Sequence, residues 1–549
     1  MTASTKEQRR RRAVPPALLI GAGPVIFLTV FFAWPVSAIV YRGLVDESGQ
    51  FDPFGTARLL GRATVWDIAA FTIGQAAAST VLTLAAGLPV AWLLARVAIP
   101  GRTLLRVVVT VPFVLPTVVV GIAFRALFSD GGLLGFTGLD GTVWAILLAH
   151  AFFNVAVVAR TVGSVWAHLD PRTEQAARSL GASPARAFCT VTVPALAPAI
   201  VSAAAVVFLF CATSFGVVLV LGGTRYRTLE TEIYLQTVQV FDLRMAAVLS
   251  LLQMLAIAGA IAVATLARRG RERALSLRPM DSTARAPRGR QWIGVGAVLA
   301  LVAGLLIVPP CALLVRSLRP RGEWSLEGYR LLAQTRGGVS GVDATLLSLR
   351  TATDAAILSL VVGVLAAIAI AQARGRFAWI ADGAILIPLG ISAVTVGFGF
   401  LITLGQLPGD LRSSAILIPI AQALVAIPLV VRIVLPAMRA VNVRLREGAA
   451  VLGASPVRVW FTIDLPLVAR SIAAAAGFAF VVTVGEFGAT SFLARAGDPT
   501  LPVLIGRLIA RPGAENASVA LAGAVLLVAV TATVVTIIEI VRIRDVGEF

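Results

Sequence analysis

Long apolar stretches alternate with short polar segments along the whole chain. A helix needs about 20 predominantly apolar residues to cross the hydrocarbon core of a bilayer. By that criterion the pattern predicts an all-α integral membrane protein with twelve membrane-spanning helices. The predicted spans are residues 15–40, 68–95, 104–128, 143–165, 191–221, 245–267, 292–315, 348–373, 378–404, 414–436, 471–494 and 517–541.

The composition agrees with this prediction. Of the 549 residues, 58% are hydrophobic and 14% are charged, and the mean hydropathy is +0.90. A soluble domain is about 45–50% apolar and about 25% charged. The excess excludes an ordinary soluble protein, because so much apolar surface must face something other than water.

The net charge of +19 is spread over short loops, which argues against a nucleic acid as partner. These loops separate the apolar stretches, so their charge indicates the topology instead. With the N-terminus in the cytoplasm, the cytoplasmic segments hold most of the 47 basic residues and fewer than half of the 28 acidic ones. The positive-inside rule therefore predicts a multi-pass protein with both termini in the cytoplasm.

The second half of the chain repeats the first at an offset of 272 residues. Residues 175–200 (QAARSLGASPARAFCTVTVPALAPAI) and 447–472 (EGAAVLGASPVRVWFTIDLPLVARSI) are identical at 11 of 26 positions. Six spans separate the copies, so both halves have the same orientation in the membrane. The predicted divisions are a basic tail (1–14), a first six-span repeat (15–267), a basic linker (268–290) and a second repeat (291–549).

Each copy of this sequence falls in the cytoplasmic loop between the fourth and fifth spans of its half. Asp170 predicts a helix start, Gly181 a left-handed helix stop, and Ser183 a second helix start. The second copy offers Asn442, Gly453 and Ser455 for the same roles. Two such helical hairpins on one side indicate a docking surface for a two-fold partner.

The two loops resemble the EAA loop of the permease subunits of ATP-binding-cassette (ABC) importers. That motif has Glu-Ala-Ala, three residues, Gly, nine residues and Ile-x-Leu-Pro. The first copy departs by Gln for Glu and Val for Ile and Leu, and the second by Gly for the first Ala. The matching residues are Gln175, Ala176, Ala177, Gly181 and Pro194, then Glu447, Gly448, Ala449, Gly453 and Pro466. The resemblance implies that they couple the permease to an ATPase.

The resemblance covers nearly the whole chain, which is identified as a fused, two-repeat permease of a bacterial type I ABC importer in the cytoplasmic membrane. It implies a separate, dimeric ATPase subunit and an extracytoplasmic substrate-binding protein. Residues 147–154, 213–223 and 485–488 are most similar to thiamine and ferric-iron permeases. Thiamine is the first expectation and ferric iron the alternative, while polyamine, sulfate and phosphonate stay open.

Motifs for catalysis are missing from the sequence. A phosphate-binding P-loop needs a lysine, and the one lysine is Lys6 in the N-terminal tail. The sequence has no nucleophile elbow or HExxH motif, and two histidines are too few for a histidine metal site. We expect no catalytic residue, no metal and no cofactor.

Polar residues inside the spans are candidates for the solute pathway, because such residues are costly in lipid. Glu486, in the predicted eleventh span, is a candidate for the pathway or gate; the alternative is a structural partner of an arginine or of backbone groups. His150 and Asn154 lie one helical turn apart, and interhelical hydrogen bonding is favoured for them over a pathway role. Ser214, which aligns with Glu486 in the repeat, completes the set.

An ion-coupled secondary transporter is the alternative from a different class. Such a carrier also commonly has twelve spans, but it needs several ionisable residues in mid-span and no repeated docking loop. The predicted spans hold essentially one such residue, Glu486, so the importer permease is favoured.

Overall fold

The computed structural model describes residues 16–46, 48–223, 225–269, 284–320, 322–334, 339–373, 391–404 and 414–543. Within these ranges nearly all residues are helical, and the β pairing is limited to isolated bridges of Val45 with Phe51 and Val97 with Arg285. The predicted all-α membrane architecture is confirmed. The predicted tail at 1–14, most of the linker at 268–290 and the first part of the ninth span at 378–404 lie outside the described residues.

The described residues of the first half form a series of α-helices. In order they are α1 (Pro16–Leu28), α2 (Trp34–Leu44), α3 (Pro53–Leu60), α4 (Ala63–Arg96), α5 (Arg102–Val114), α6 (Thr117–Phe128), α7 (Val143–His168), α8 (Pro171–Ser179), α9 (Pro184–Ala187), α10 (Val193–Ala212), α11 (Gly216–Leu221), α12 (Leu229–Leu235) and α13 (Leu243–Arg269).

The second half is built in the same order. Its described helices are α14 (Gln291–Val302), α15 (Val308–Leu318), α16 (Glu327–Ala333), α17 (Gly341–Gln372), α18 (Ala393–Leu404), α19 (Leu417–Ala440), α20 (Val443–Val451), α21 (Pro456–Val459), α22 (Leu465–Val484), α23 (Thr490–Leu493), α24 (Leu501–Ile509) and α25 (Ala514–Ile543).

Ten helical stretches among the described residues are long and apolar enough to cross a membrane. The pair α5–α6, which corresponds to the predicted third span, raises the number to eleven but is bent by 106°. The sequence pattern did not predict this bend. Its physical cause is the pair Pro112 and Pro116, because proline cannot donate the backbone hydrogen bonds that continue a helix.

The repeat seen in the sequence is reproduced element for element. A π-helical turn at Phe188–Thr192 joins α9 to α10, and its counterpart at Trp460–Asp464 joins α21 to α22. The two turns lie 272 residues apart, and the helices on either side of them also begin and end 272 residues apart. The two halves are therefore structural copies in the region of the repeated loop.

The two halves are interlocked by their first helices. Helices α1 and α2 of the first half pack against α17 and α18 of the second, and α15 of the second half packs against α6 of the first. A continuous apolar core, which includes Phe215 and Phe487, is drawn from both halves. This core lies toward the side of the molecule opposite the repeated loops, and it positions the interface described next.

Candidate functional site

The first repeated loop (residues 170–194) begins with a capped helix. The Asp170 carboxylate accepts a hydrogen bond of 2.9 Å from the backbone N–H two residues further on, at the start of α8. Gly181 follows that helix with φ +90°, the left-handed conformation that glycine adopts at little cost. Ser183 Oγ then accepts a 3.3 Å hydrogen bond and caps α9. The three predicted backbone roles are confirmed.

The second repeated loop (residues 442–466) has the same construction. The Asn442 side chain accepts a 3.0 Å hydrogen bond from the N–H of Arg444 at the start of α20. Gly453 has φ +83°, and Ser455 Oγ caps α21 through a 3.4 Å hydrogen bond. The two hairpins are therefore equivalent in structure, and their position on one side of the membrane stays a prediction.

Both loops present apolar side chains to solvent at their tips. Leu180 and Leu452, which align in the repeat, are 90% and 88% exposed. Large apolar side chains that are this exposed at two related positions are typical of a surface that another protein covers. The predicted coupling residues lie around them, with Ala177 and Ala449 half-buried and the others exposed: Gln175, Ala176, Gly181, Pro194, Glu447, Gly448, Gly453 and Pro466.

Each loop is fixed to the span that follows it by one side-chain pair, and the chemistry of that pair differs between the halves. In the first loop Thr192 Oγ1 donates a 3.1 Å hydrogen bond to the Glu174 carboxylate. At the aligned positions of the second loop, Arg446 Nε donates to Asp464 at 2.7 Å in a largely buried ion pair. The same junction is therefore held by an acid with a hydroxyl in one half and by a base with an acid in the other.

This difference makes a stability prediction. We expect Arg446→Glu to lower the thermal unfolding midpoint of the purified chain, because it opposes two carboxylates and removes a charged hydrogen bond of about 1.5–3 kcal/mol. Adding Asp464→Thr should recover most of the loss, because it installs the acid–hydroxyl pair of the first loop. Equal midpoints for the single and double variants would contradict this pairing.

The halves meet through two stacked phenylalanines on the side opposite the loops. Phe215 and Phe487 align in the repeat, and their rings stack with centroids 5.1 Å apart and planes 17° apart. Tyr234 packs on Phe215 at 5.2 Å and on Phe492 of the second half at 5.5 Å. We call these four residues the aromatic cluster. Its central pair joins equivalent positions of the two halves.

A cavity of about 720 Å³ lies against this cluster and is lined by both halves. Phe487 and Tyr234 line it, and its other walls come mainly from α12 and the turn after it and from α24. Its charged lining residues are Arg125, Arg227, Glu232, Arg507 and Arg511. We call this cavity, which lies between the halves and has Phe487 of the stacked pair in its wall, the vestibule.

Three of the four predicted pathway residues form one buried network. His150 lies 3.0 Å from Ser79 Oγ through Nδ1 and 2.8 Å from Ser214 Oγ through Nε2, so it links α7 to α4 and to the break after α10. Asn154 donates to the His150 carbonyl at 3.0 Å and contacts Cys211 Sγ at 3.4 Å. The network holds the backbone immediately before Phe215, and none of its members lines the cavity.

The prediction that Glu486 lies inside a continuous eleventh span is wrong, because α22 ends at Val484. Its buried carboxylate accepts backbone hydrogen bonds from Ala489 at 2.7 Å and from Thr490 at 2.9 Å, at the start of α23. Gly485 caps the end of this helix and lies against Pro116, where a Cβ would come within 2.7 Å of the proline ring. Glu486 therefore supports the turn that presents Phe487, and its role as pathway residue stays a prediction.

One buried carboxylate was missed because it lies between two predicted spans. Glu230 is fully buried at the start of α12 and accepts hydrogen bonds from the Gln253 amide and from Ser392 Oγ of the second half, the latter at 2.9 Å. It is a polar link across the interface of the halves. The repeat contained a signal for this segment, since Thr228-Leu229 aligns with Thr500-Leu501.

Comparison with known proteins decides what this arrangement is. The family model for the inner membrane component of binding-protein-dependent transport systems matches residues 87–281 and 359–542. Each matched segment contains one repeated loop, so the family is found twice in one chain. The chain belongs to this family.

Relatives in this permease family differ in how much of the chain they cover. The thiamine transport system permease protein ThiP of Brucella abortus (strain 2308) is 26% identical over 528 residues, which cover 92% of both chains. ThiP of Escherichia coli (strain K12) is 26% identical over 501 residues, 88% of this chain and 90% of its own. The sulfate transport system permease protein CysT of the same strain is 32% identical over 220 residues, which cover 39% of this chain and 77% of CysT.

Proposed function

We propose that this permease imports thiamine, which a binding protein delivers and whose movement is driven by a separate ATPase. The supporting observation is similarity to thiamine permeases along nearly the full length of a chain that carries both halves. The ferric-iron alternative rests on the short sequence resemblance around residues 485–488. Thiamine is therefore the first solute to test.

The repeated loops would form the ATPase-binding side. Each projects a capped helix with an exposed leucine, and the two copies suit a dimeric ATPase. The distribution of basic residues supports a cytoplasmic position for these loops and for both termini. On that orientation the vestibule opens to the extracytoplasmic side, where a binding protein would dock.

Transport would proceed by alternating access around the aromatic cluster. ATP-driven closure of the ATPase pair would bring the two repeated loops together and tilt the halves, so that the Phe215–Phe487 stack separates. Glu486 and the His150–Ser214 network would act by positioning the two phenylalanines. The Glu230–Ser392 hydrogen bond also crosses the interface, so it has to change partners in the same step.

The vestibule has features that suit a thiamine cation. Thiamine carries a positive thiazolium ring, and aromatic faces attract such cations through their quadrupoles. Phe487 and Tyr234 offer aromatic surface in the cavity, and Glu232 offers a carboxylate that is paired with Arg227 at 3.4 Å. Solute would then compete with Arg227 for this carboxylate.

An oxyanion such as sulfate is the second candidate. The specific observation is that four arginines and one glutamate line the vestibule, which gives it a positive balance. The sulfate permease CysT is similar to this chain over 220 residues, 39% of its length. Guanidinium groups are the side chains best suited to bind oxyanions.

Uptake by the reconstituted transporter tests these alternatives. The permease is placed in proteoliposomes with its co-purified ATPase and binding protein, and uptake of labelled thiamine, sulfate and ferric iron is measured. We expect ATP-dependent accumulation of thiamine that unlabelled sulfate does not reduce. Sulfate accumulation would replace the thiamine assignment, and uptake driven by a proton or sodium gradient without ATPase would refute the importer.

A further inference from the structure

The first repeated loop lies over a basic cavity that the transport pathway does not use. The cavity has a volume of about 280 Å³ between the end of α4, helix α8 and the described end of the linker. Three arginines line it, Arg96, Arg178 and Arg285, against one carboxylate, Glu174. Trp92 and Trp166 supply its apolar walls. Its charge balance is therefore positive, and its size is close to the lower end of ligand pockets, about 300 Å³.

The backbone fixes two of these arginines beside each other. The linker pairs with the end of α4, since Arg285 N donates to the Arg96 carbonyl at 3.1 Å and Ala98 N donates to the Arg285 carbonyl at 3.0 Å. Arg96 and Arg285 repel each other across this cavity, while the Glu174 and Asp170 carboxylates attract Arg96. Because three arginines and one glutamate line the cavity, the balance of charge still favours an anionic occupant.

The hydrogen bonds of Arg96 and Arg285 also favour an anion in this cavity. Nη1 of Arg96 is buried and has no hydrogen-bond partner among the described residues. A buried donor of this kind costs free energy unless a ligand or solvent satisfies it. Arg285 also reaches the first repeated loop, because with the Gln175 amide oriented to accept, its oxygen lies 3.0 Å from Arg285 Nη2. An anion bound in this cavity would therefore contact Arg285, which holds the first repeated loop through Gln175.

The second half shows that the fold does not require this site. Helices α4 and α17 correspond through Gly87 and Gly363, which contact the aligned residues Val158 and Val430. On that register Gln372 stands at the position of Arg96, and Ala450 aligns with Arg178. At these two aligned positions the second half therefore has no arginine.

We propose that this cavity binds a phosphoryl anion, either the headgroup of an anionic lipid or a free phosphate, between Arg96 and Arg285. Paired guanidinium groups suit the tetrahedral oxygens of a phosphoryl group. Because Arg285 also contacts Gln175, the bound anion steadies the first repeated loop against α4. The binding step does not depend on the identity of the transported solute.

The test uses the full-length permease alone, in nanodiscs of phosphatidylcholine with or without phosphatidylglycerol. The midpoint of thermal unfolding is measured in each lipid mixture. In nanodiscs of phosphatidylcholine alone it is also measured as inorganic phosphate is added, with chloride at the same ionic strength as the reference. We expect a higher midpoint with phosphatidylglycerol if the source is lipid, or with phosphate if it is soluble. Native mass spectrometry then counts retained phosphatidylglycerol.

Variants assign the effect to the cavity. Arg96→Gln and Arg285→Gln should each weaken the stabilisation by at least about tenfold in ligand concentration, as expected for loss of a charged hydrogen bond. Arg96→Lys, which keeps the charge, should retain part of the stabilisation by the anion. A folded Arg96→Lys variant would also show that the chain folds with another residue at position 96. Arg288→Gln, in the same linker but outside the cavity, is the matched control. No midpoint shift with either anion, or an equal loss in Arg288→Gln, would overturn the proposal.

Discussion

Aspartate at both Leu180 and Leu452 is expected to abolish ATP-driven uptake while the permease stays folded. Both side chains are about nine-tenths exposed at the tips of the repeated loops, so the free chain loses almost no packing. In a complex with an ATPase each would be buried, and burial of a leucine is worth about 1.5–3 kcal/mol. Two losses of that size, together with two buried charges, weaken the complex by more than about a hundredfold.

Co-purification of the ATPase with the tagged permease measures this effect directly. The matched control is the double variant Leu180→Met with Leu452→Met, which keeps an apolar side chain of similar volume and should retain the ATPase. Thermal unfolding of both variants checks that the chain is intact. An aspartate variant that binds the ATPase at the wild-type ratio would show that the loops are not the docking surface.

Removal of the phenylalanine stack is expected to make the permease leak. In the double variant Phe215→Ala with Phe487→Ala the two halves lose the ring contact at 5.1 Å that closes the floor of the vestibule. An aromatic pair contributes up to about 1.5 kcal/mol beyond its buried area, which corresponds to a roughly tenfold larger open population when it is lost. Solute should then escape from preloaded proteoliposomes without ATP, and steady-state accumulation should fall about tenfold or more.

A second aromatic pair provides the control for this experiment. Phe113 and Phe153, both of the first half, pack with ring centroids 5.3 Å apart. Phe153→Ala therefore removes a comparable ring that is not part of the Phe215–Phe487 stack, and it should not increase the leak. Equal leak rates in the two variants would mean that the phenylalanine stack is not a gate.

The repeated loops could be predicted residue by residue because their signals are local. A capping side chain, a glycine stop and a second cap each act on the two or three residues beside them, so Asp170, Gly181 and Ser183 suffice to define the hairpin. The duplication then placed the same hairpin in both halves. The helical type of the spans followed from hydropathy in the same direct way, whereas twelve spans were predicted and ten or eleven are found among the described residues.

The interface of the halves could not be predicted, because it depends on contacts between distant residues. The helix break that removes Glu486 from a continuous span lies where Gly485 contacts Pro116. A hydropathy profile contains no information about contacts between distant residues. The stacking of Phe215 on Phe487 is invisible until both halves are folded together. Glu230 was missed because it lies between two predicted spans, and its contact with Ser392 of the other half is a further contact between distant residues.

The unequal pairs at the two loop junctions bear on how the halves can evolve. Copying one position from the first half into the second, as in Arg446→Glu, would set Glu beside Asp464, whereas Asp464→Thr alone would leave Arg446 without its acid. We expect each single-residue intermediate to be less stable than the two end states. Recombination between the repeats that exchanged both residues together would avoid this loss of stability, whereas single substitutions would not.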